Sequence, residues 1–281
     1  MKPLANFVHL YSSSLSLVFD CTQNVPCVLY FSSRLNDQIN LQELSILNFR
    51  QEPKCALEVE VPLSLSPCLG HGFTGSPGLE VSNDTNAWSL GPKLIDIIQN
   101  GHTEVTFISL DKLRNIQIKH NIKLDTVSHV VSANTELTNL DANNICVETC
   151  LAPTFILPDN INKILSFEGR WSLEFQQSSI DLFLGAYVRE NRKGKTSHDN
   201  FPGVVVHDTY TNESKGDCYG FHLGHSGNHS TRVELLPEQR TYVQLGELLG
   251  SREIQLSNGE SYTSPTLYVS YSGEGFSQLS H

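Results

Sequence analysis

Basic charge is scarce in this 281-residue sequence: 19 Lys and Arg stand against 30 Asp and Glu, for a formal net charge of −11. Phosphate backbones are held by clustered cations, so nucleic acid and anionic membrane surfaces are excluded as partners. Long apolar runs are missing as well. No window approaches the ~18–20 apolar residues of a membrane span, and Met1 to Phe19 lacks the basic start and continuous apolar core of a secretory signal. Cysteine is sparse and irregular: Cys21, Cys27, Cys55, Cys68, Cys146, Cys150 and Cys218 are odd in number and form no C-x-x-C pair. Cys146 and Cys150 have no second pair to complete a zinc site. Reduced thiols in a cytoplasmic protein are the expectation.

Helical periodicity is also thin. Leu41 to Phe49 and Lys93 to Ile98 are the best helix candidates, and both are short. Alternation is common instead. From Asn115 to Leu124, Ile116, Ile118, His120, Ile122 and Leu124 share one face while Asn115, Gln117, Lys119, Asn121 and Lys123 share the other, the pattern of a half-buried antiparallel strand. Shorter runs of strand character lie at Cys27–Phe31, Glu58–Val61, Val105–Leu110, Val127–Val131, Trp171–Phe175, Val204–Val206, Arg232–Leu236, Tyr242–Leu245 and Thr266–Tyr271. Turn-forming clusters separate them, among them Ser257–Asn258–Gly259, whose Asn-Gly suits a tight hairpin. Many short strands without βαβ alternation predict an all-β fold, a large antiparallel sandwich with a few short helices. We read residues 1–281 as a single domain.

Several chemistries fail on inspection. The run Gly70–His71–Gly72–Phe73–Thr74–Gly75–Ser76–Pro77–Gly78 leads into Leu79–Glu80, not the Lys and Ser/Thr that a phosphate-cradling loop requires. His222, His225 and His229, with His198 and His207 nearby, invite a metal, but there is no HExxH context and Gly224 and Gly227 disfavour a helix. They read as hydrogen-bonding loop histidines, and neither metal nor cofactor is expected. Ser197, His198 and Asp199 spell a triad only on paper, because adjacent residues diverge along a strand. No G-x-S-x-G elbow is present.

What the sequence does hold is a dense polar stretch, Asn191–Arg192–Lys193–Gly194–Lys195–Thr196–Ser197–His198–Asp199–Asn200–Phe201–Pro202, followed by Tyr219–Gly220–Phe221 to Ser226–Gly227–Asn228–His229. Phe167–Glu168–Gly169–Arg170–Trp171–Ser172–Leu173–Glu174–Phe175 precedes it. Gly259–Glu260–Ser261–Tyr262–Thr263–Ser264–Pro265 and Tyr271–Ser272–Gly273–Glu274–Gly275 follow in order. Together with the glycine-rich run Gly70 to Glu80, these segments resemble the N-terminal region of glycoside hydrolase family 36 α-galactosidases, over nearly the whole chain and most strongly from about Phe167.

That resemblance implies an N-terminal β-supersandwich preceding a (β/α)₈ barrel, which removes terminal α-galactose from raffinose- and melibiose-type oligosaccharides by a retaining mechanism with two aspartates. In the family the nucleophile sits in Lys-Trp-Asp. Here Trp88 and Trp171 are each followed by Ser. Active sites of such barrels lie on loops at the C-terminal ends of their strands, and the sequence encodes no barrel. The expectation is therefore a sandwich alone, the product of a truncated or split gene, inactive in isolation. Its partners would be the missing catalytic barrel and other copies in a homo-oligomer, and a galactoside would bind only within the full enzyme. Arg189, Glu190, Arg192, Lys195, Ser197, His198 and Asn200 are the candidates for a loop facing the barrel or its sugar pocket, against the plain alternative of solvated loop chemistry. A free-standing carbohydrate-binding sandwich stays open as a second reading, and a hydrolase of novel mechanism as a third.

Overall fold

The computed structural model describes residues 4–48, 61–83 and 89–281. Twenty strands and two short α-helices occur among these residues, and every strand pairing within the sheets is antiparallel. One ten-stranded sheet dominates. Its order runs Leu173–Asp181, Lys163–Arg170, Gly203–His207, Cys218–Leu223, Leu267–Ser272, Val131–Asn139, Ile116–Leu124, Glu104–Asp111 and Lys93–Asn100, with Ser261–Thr263 added to Val131–Asn139. The alternation from Ile116 onward is realised residue by residue: Ile116, Ile118, His120, Ile122 and Leu124 are buried, and those between them are not.

Three smaller sheets cover the inner face of the large one. Phe155–Leu157, Thr241–Glu247, His229–Leu235 and Gly185–Asn191 form one; Phe7–Tyr11, Leu15–Asp20 and Cys27–Ser33 a second; Ile254–Leu256, Ile145–Cys150 and Leu79–Ser82 a third. The first two share one apolar core with the large sheet, where Leu17, Phe19, Phe107, Phe155, Phe221, Val233, Val243 and Val269 meet. The third closes a separate core over Ile116, Ile118 and Leu137. Two sheet layers burying one face each make the sandwich expected of the sequence.

Three local expectations are corrected. Lys93 to Ile98 is the start of a strand, Lys93–Asn100, not a helix. Its β-branched Ile95, Ile97 and Ile98 suit a pleated surface, and pairing with Glu104–Asp111 overrides the short helical spacing. Val127 belongs to a turn in which the Asp125 carboxylate accepts the N–H groups of Val127 and Ser128 at 2.9 and 2.7 Å, so the strand starts at Val131. Asn258–Gly259 does sit in a turn, but Ile254–Leu256 pairs with Ile145–Cys150 and Ser261–Thr263 with Val131–Asn139. The turn therefore moves the backbone between two sheets instead of closing a hairpin.

The helix expected at Leu41 to Phe49 is present as Leu41–Leu47, capped by the Asn40 side chain, as Asn N-caps usually are. Phe49, Cys55, most of Glu58–Val61 and Trp88 lie outside the described residues. In the glycine-rich run, a Cβ on Gly70 would stand 2.3 Å from the Leu90 carbonyl oxygen, which already accepts the Gly70 N–H at 2.9 Å. That glycine serves close backbone approach. Among the described residues no helix is long and apolar enough to cross a membrane.

Candidate functional site

The polar stretch begins where the edge strand Gly185–Asn191 leaves the four-stranded sheet. Asn191 is only 2% exposed. Its side-chain amide donates to the carbonyls of Lys195 at 2.7 Å and Gly227 at 3.3 Å, and its Oδ1 accepts the Lys193 N–H at 3.2 Å. The Thr196 N–H donates to Ser226 O at 2.8 Å, and the Gly194 N–H to Asn228 Oδ1 at 2.8 Å. The loops 192–200 and 224–228 are thus stitched into one unit.

The candidate residues divide between two sides of that unit. Arg189 faces inward between the sheets: its guanidinium lies 3.6 Å from Glu168 on the large sheet and donates to the Asp199 carbonyl. Glu190 points the other way, and its carboxylate accepts from Arg192 at 2.7 and 3.1 Å on the exposed surface. Lys195 is exposed and enters the network only through its carbonyl. Ser197 donates to the Asp199 carboxylate, which also receives Lys193. Asn200 is buried, its N–H on Ser197 O at 3.1 Å and its Oδ1 without a hydrogen-bond partner. His198 is exposed and near enough to Glu174 to help hold that carboxyl below its ordinary range, behind the backbone N–H of Ser172 as first cause. The seven do not converge on one point.

The carboxylate that the loop holds at its centre, Asp199, is not poised as a general acid. Lys193 first, then the Ser197 hydroxyl, hold the Asp199 carboxyl down at about 2, so at neutral pH it is a fixed anion with no proton to give a leaving group. Among the described residues no hydrogen bond joins His198 to Ser197 or Asp199. His229 is fully buried and donates from Nδ1 to Gly227 O at 3.1 Å. Burial lowers its pKa; the hydrogen bond to Gly227 O opposes this, and the neighbouring His225, Arg189 and His222 add to the lowering. His225 lies 3.6 Å from Glu247, which accepts the Tyr262 hydroxyl at 2.5 Å. Among the described residues no group of three His, Cys, Asp or Glu is arranged to hold a metal. Burial pushes the Cys21 and Cys68 thiols up to about 12, so neither is a thiolate.

Sequence reasoning passed over Asn191 and Glu168 as candidates, though both organise the region. The available signal was positional: an amide ending a strand just before a Gly/Lys loop is well placed to bind that loop's backbone.

On the outward face of the large sheet lies a second feature. Ile164, Val204, Val206, Phe221 and Leu223 point into the core, so Phe167, His222 and Tyr268 on the alternate positions point away from it. There a row of rings crosses five strands. Phe175 contacts Phe167 and Phe201 at centroid distances of 6.3 and 5.6 Å, Phe167 meets Phe201 at 5.8 Å, and Phe201 meets His222 at 5.2 Å. His222 stands directly opposite Tyr268. Phe175 is 60% exposed and Trp171, at the adjoining hairpin tip, 82%. The C-terminal helix Phe276–Leu279 lies on the same face, with Leu279 over Gly220 and Phe276 edge-on to His207 at 5.0 Å.

Comparison with known proteins places these features in a family. The glycosyl hydrolase family 36 N-terminal domain profile matches residues 24–257. The protein is 31% identical over 226 residues to an α-galactosidase of Escherichia coli, a match to 80% of this sequence but 31% of that one. It is 29% identical over 151 residues to a bifunctional α-galactosidase/sucrose kinase of Mediterraneibacter gnavus, a match to 54% of this sequence and 16% of that one. It therefore spans a third or less of the length of these relatives. Among solved structures, the α-galactosidase from Lactobacillus brevis superposes with a TM-score of 0.86 at 17% identity, over 98% of this protein and 40% of that one. A galactose mutarotase related enzyme from Lactobacillus acidophilus shares the fold at a TM-score of 0.52 and 10% identity, over 96% and 98% of the two proteins.

Proposed function

We infer, from the premise that the protein belongs to the glycosyl hydrolase family 36 N-terminal domain family, that it acts as a non-catalytic wall on which an α-galactosidase's catalytic barrel packs. The parent reaction would be hydrolysis of terminal α-galactosyl residues from melibiose- and raffinose-type oligosaccharides, with no acid, base or nucleophile supplied from these residues. The observation that carries the reading is the row of outward rings from Phe175 to Tyr268, bordered by Trp171 and Leu173. Contiguous exposed apolar surface of this kind marks a site of association. The C-terminal helix on the same face adds to it.

The rings also favour packing over free-standing sugar binding. Their planes meet at 53–80°, so edges rather than a flat row of faces are presented, whereas a pyranose needs a broad ring face to lie on. Oligomerisation of the parent enzyme through further copies of this domain belongs to the same proposal.

The test is a titration calorimetry experiment. The 281-residue protein is mixed with the catalytic part of the E. coli relative, purified without its own N-terminal third. Binding that is lost on combining Phe175→Ser with Trp171→Ser is the expected result. Equal binding by the double variant, or none by the unmodified protein, would overturn the reading.

A further inference from the structure

The sequence has two Asn-Gly pairs, Asn100–Gly101 and Asn258–Gly259, and the fold treats them oppositely. We propose that Asn100 is a site of spontaneous deamidation and that tertiary structure protects Asn258 from the same reaction. The chemistry needs only water. The Gly101 backbone nitrogen, having lost its proton to base, attacks Cγ of Asn100. A new N–Cγ bond forms, the Cγ–Nδ2 bond breaks, and the amide nitrogen leaves as ammonia. Water then opens the resulting cyclic imide at either carbonyl, yielding aspartate or isoaspartate with one ammonia released per water consumed. Attack requires a nitrogen free to turn toward Cγ and an amide side group free to meet it.

Asn100–Gly101 meets both requirements. The pair begins the turn between Lys93–Asn100 and Glu104–Asp111, and both residues are exposed. Open space surrounds Gly101 and Gly259 alike, so the two pairs differ in their hydrogen bonds. Among the described residues nothing accepts the Gly101 N–H; its carbonyl, not its nitrogen, takes the Gln99 amide at 2.9 Å. The Asn100 amide reaches the Glu104 carboxylate across the turn, a surface contact that water readily replaces. Such exposed tips are where proteins are most open to chemical attack.

Asn258–Gly259 meets neither. The Gly259 N–H donates to Asn139 O at 2.7 Å, and the Asn258 amide donates to Asp141 O at 2.9 Å. Asn139 is fully buried and held in turn by its own amide on Asn143 O at 2.9 Å and Leu256 O at 3.0 Å. Both reacting groups are tied to a rigid anchor. Breaking the Gly259 hydrogen bond before attack should slow the reaction about tenfold.

The product at position 100 falls on a junction between sheets. His102, in the same turn, stacks on Tyr11 at 4.5 Å, and its carbonyl accepts the Tyr11 N–H at 2.9 Å. Isoaspartate would lengthen the backbone of the turn that carries this contact. A new carboxylate would also stand beside Glu104, whose ion pair with Lys123 spans 2.9 Å.

The experiment ages the folded 281-residue protein at mildly alkaline pH and maps both peptides by mass spectrometry, with isoaspartate quantified by enzymatic methylation. A parallel sample is aged in denaturant. In the folded protein the Asn100 peptide should convert about tenfold faster than the Asn258 peptide, and in denaturant the two rates should come together. Asn100→Gln should abolish the early acidic species on ion exchange. Equal rates in the folded protein, faster loss at Asn258, or folded protein in which Asn100 is as inert as Asn258 would each overturn the proposal.

Discussion

The shape of the polar loop should depend on one buried amide far more than on its exposed cations. Asn191→Ala removes two donated hydrogen bonds, to Lys195 O and Gly227 O, and one accepted from the Lys193 N–H. An unpaired buried polar group costs ~1–3 kcal/mol. Lys193 and Lys195 stand on the surface, so water can replace part of the loss there, while Gly227 and the site vacated by the amide are less accessible. The net destabilisation should be about 2–3 kcal/mol. Urea unfolding, followed by far-ultraviolet circular dichroism, should show a lower midpoint at unchanged slope, because the surface exposed on unfolding does not change. The thermal midpoint should fall by roughly 4–12 °C at ~2–4 °C per kcal/mol. Lys195→Ala, which leaves the Lys195 carbonyl in place, should stay within about 0.5 kcal/mol of the parent. If Asn191→Ala proved as mild as Lys195→Ala, the claim that this amide stitches the two loops would fail.

Three further outcomes follow from the same structure. The purified protein should hydrolyse no aryl α-galactoside above a blank, since Lys193 and the Ser197 hydroxyl hold Asp199 as an anion with no proton to give a leaving group; turnover by the isolated 281-residue protein refutes the non-catalytic reading. Gly70→Ala should cost ~1–3 kcal/mol in a chemical denaturation curve, because its Cβ would meet the Leu90 carbonyl at 2.3 Å; a neutral substitution would show that this approach is relaxed in solution. Burial lowers His120 from its ordinary value of 6.5 to about 3, so between those two values the unfolded state binds a proton that the native state refuses. Stability contributed there is present above the ordinary value and lost as pH falls, by about 1.4 kcal/mol per unit. A His120→Asn variant should lose that slope, and an unchanged pH profile would remove His120 from the account.

Much of the secondary structure was legible because burial on one face imposes a period of two. Ile116 to Leu124 shows this cleanly, whereas Leu15 to Phe19 is buried on both faces and its alternation with serine does not mark a solvent side. The order of motifs from Phe167 to Gly275 pointed to the family that the profile over residues 24–257 identifies. Lys93 to Ile98 was misread because a short apolar run fits either period, and its partner strand decided the matter. The polar loop was found as a region but not as an arrangement. Nothing in the order Arg189, Glu190 says that one faces Glu168 between the sheets while the other pairs with Arg192 outside.

The amino-acid sequence by itself determined the all-β class and the family, since each rests on alternation or ordered motifs. Tertiary structure alone decided which strands neighbour one another in a ten-stranded sheet, since pairings such as Val131–Asn139 with Leu267–Ser272 join residues more than a hundred positions apart. It likewise decided that Phe175, Phe167, Phe201, His222 and Tyr268 form one outward row, and that the glycine N–H of one Asn-Gly pair is tied to a buried anchor while, among the described residues, that of the other has no acceptor. Local pattern sets which face of a strand is apolar; only the packing of distant strands sets what that face, or its opposite, comes to meet.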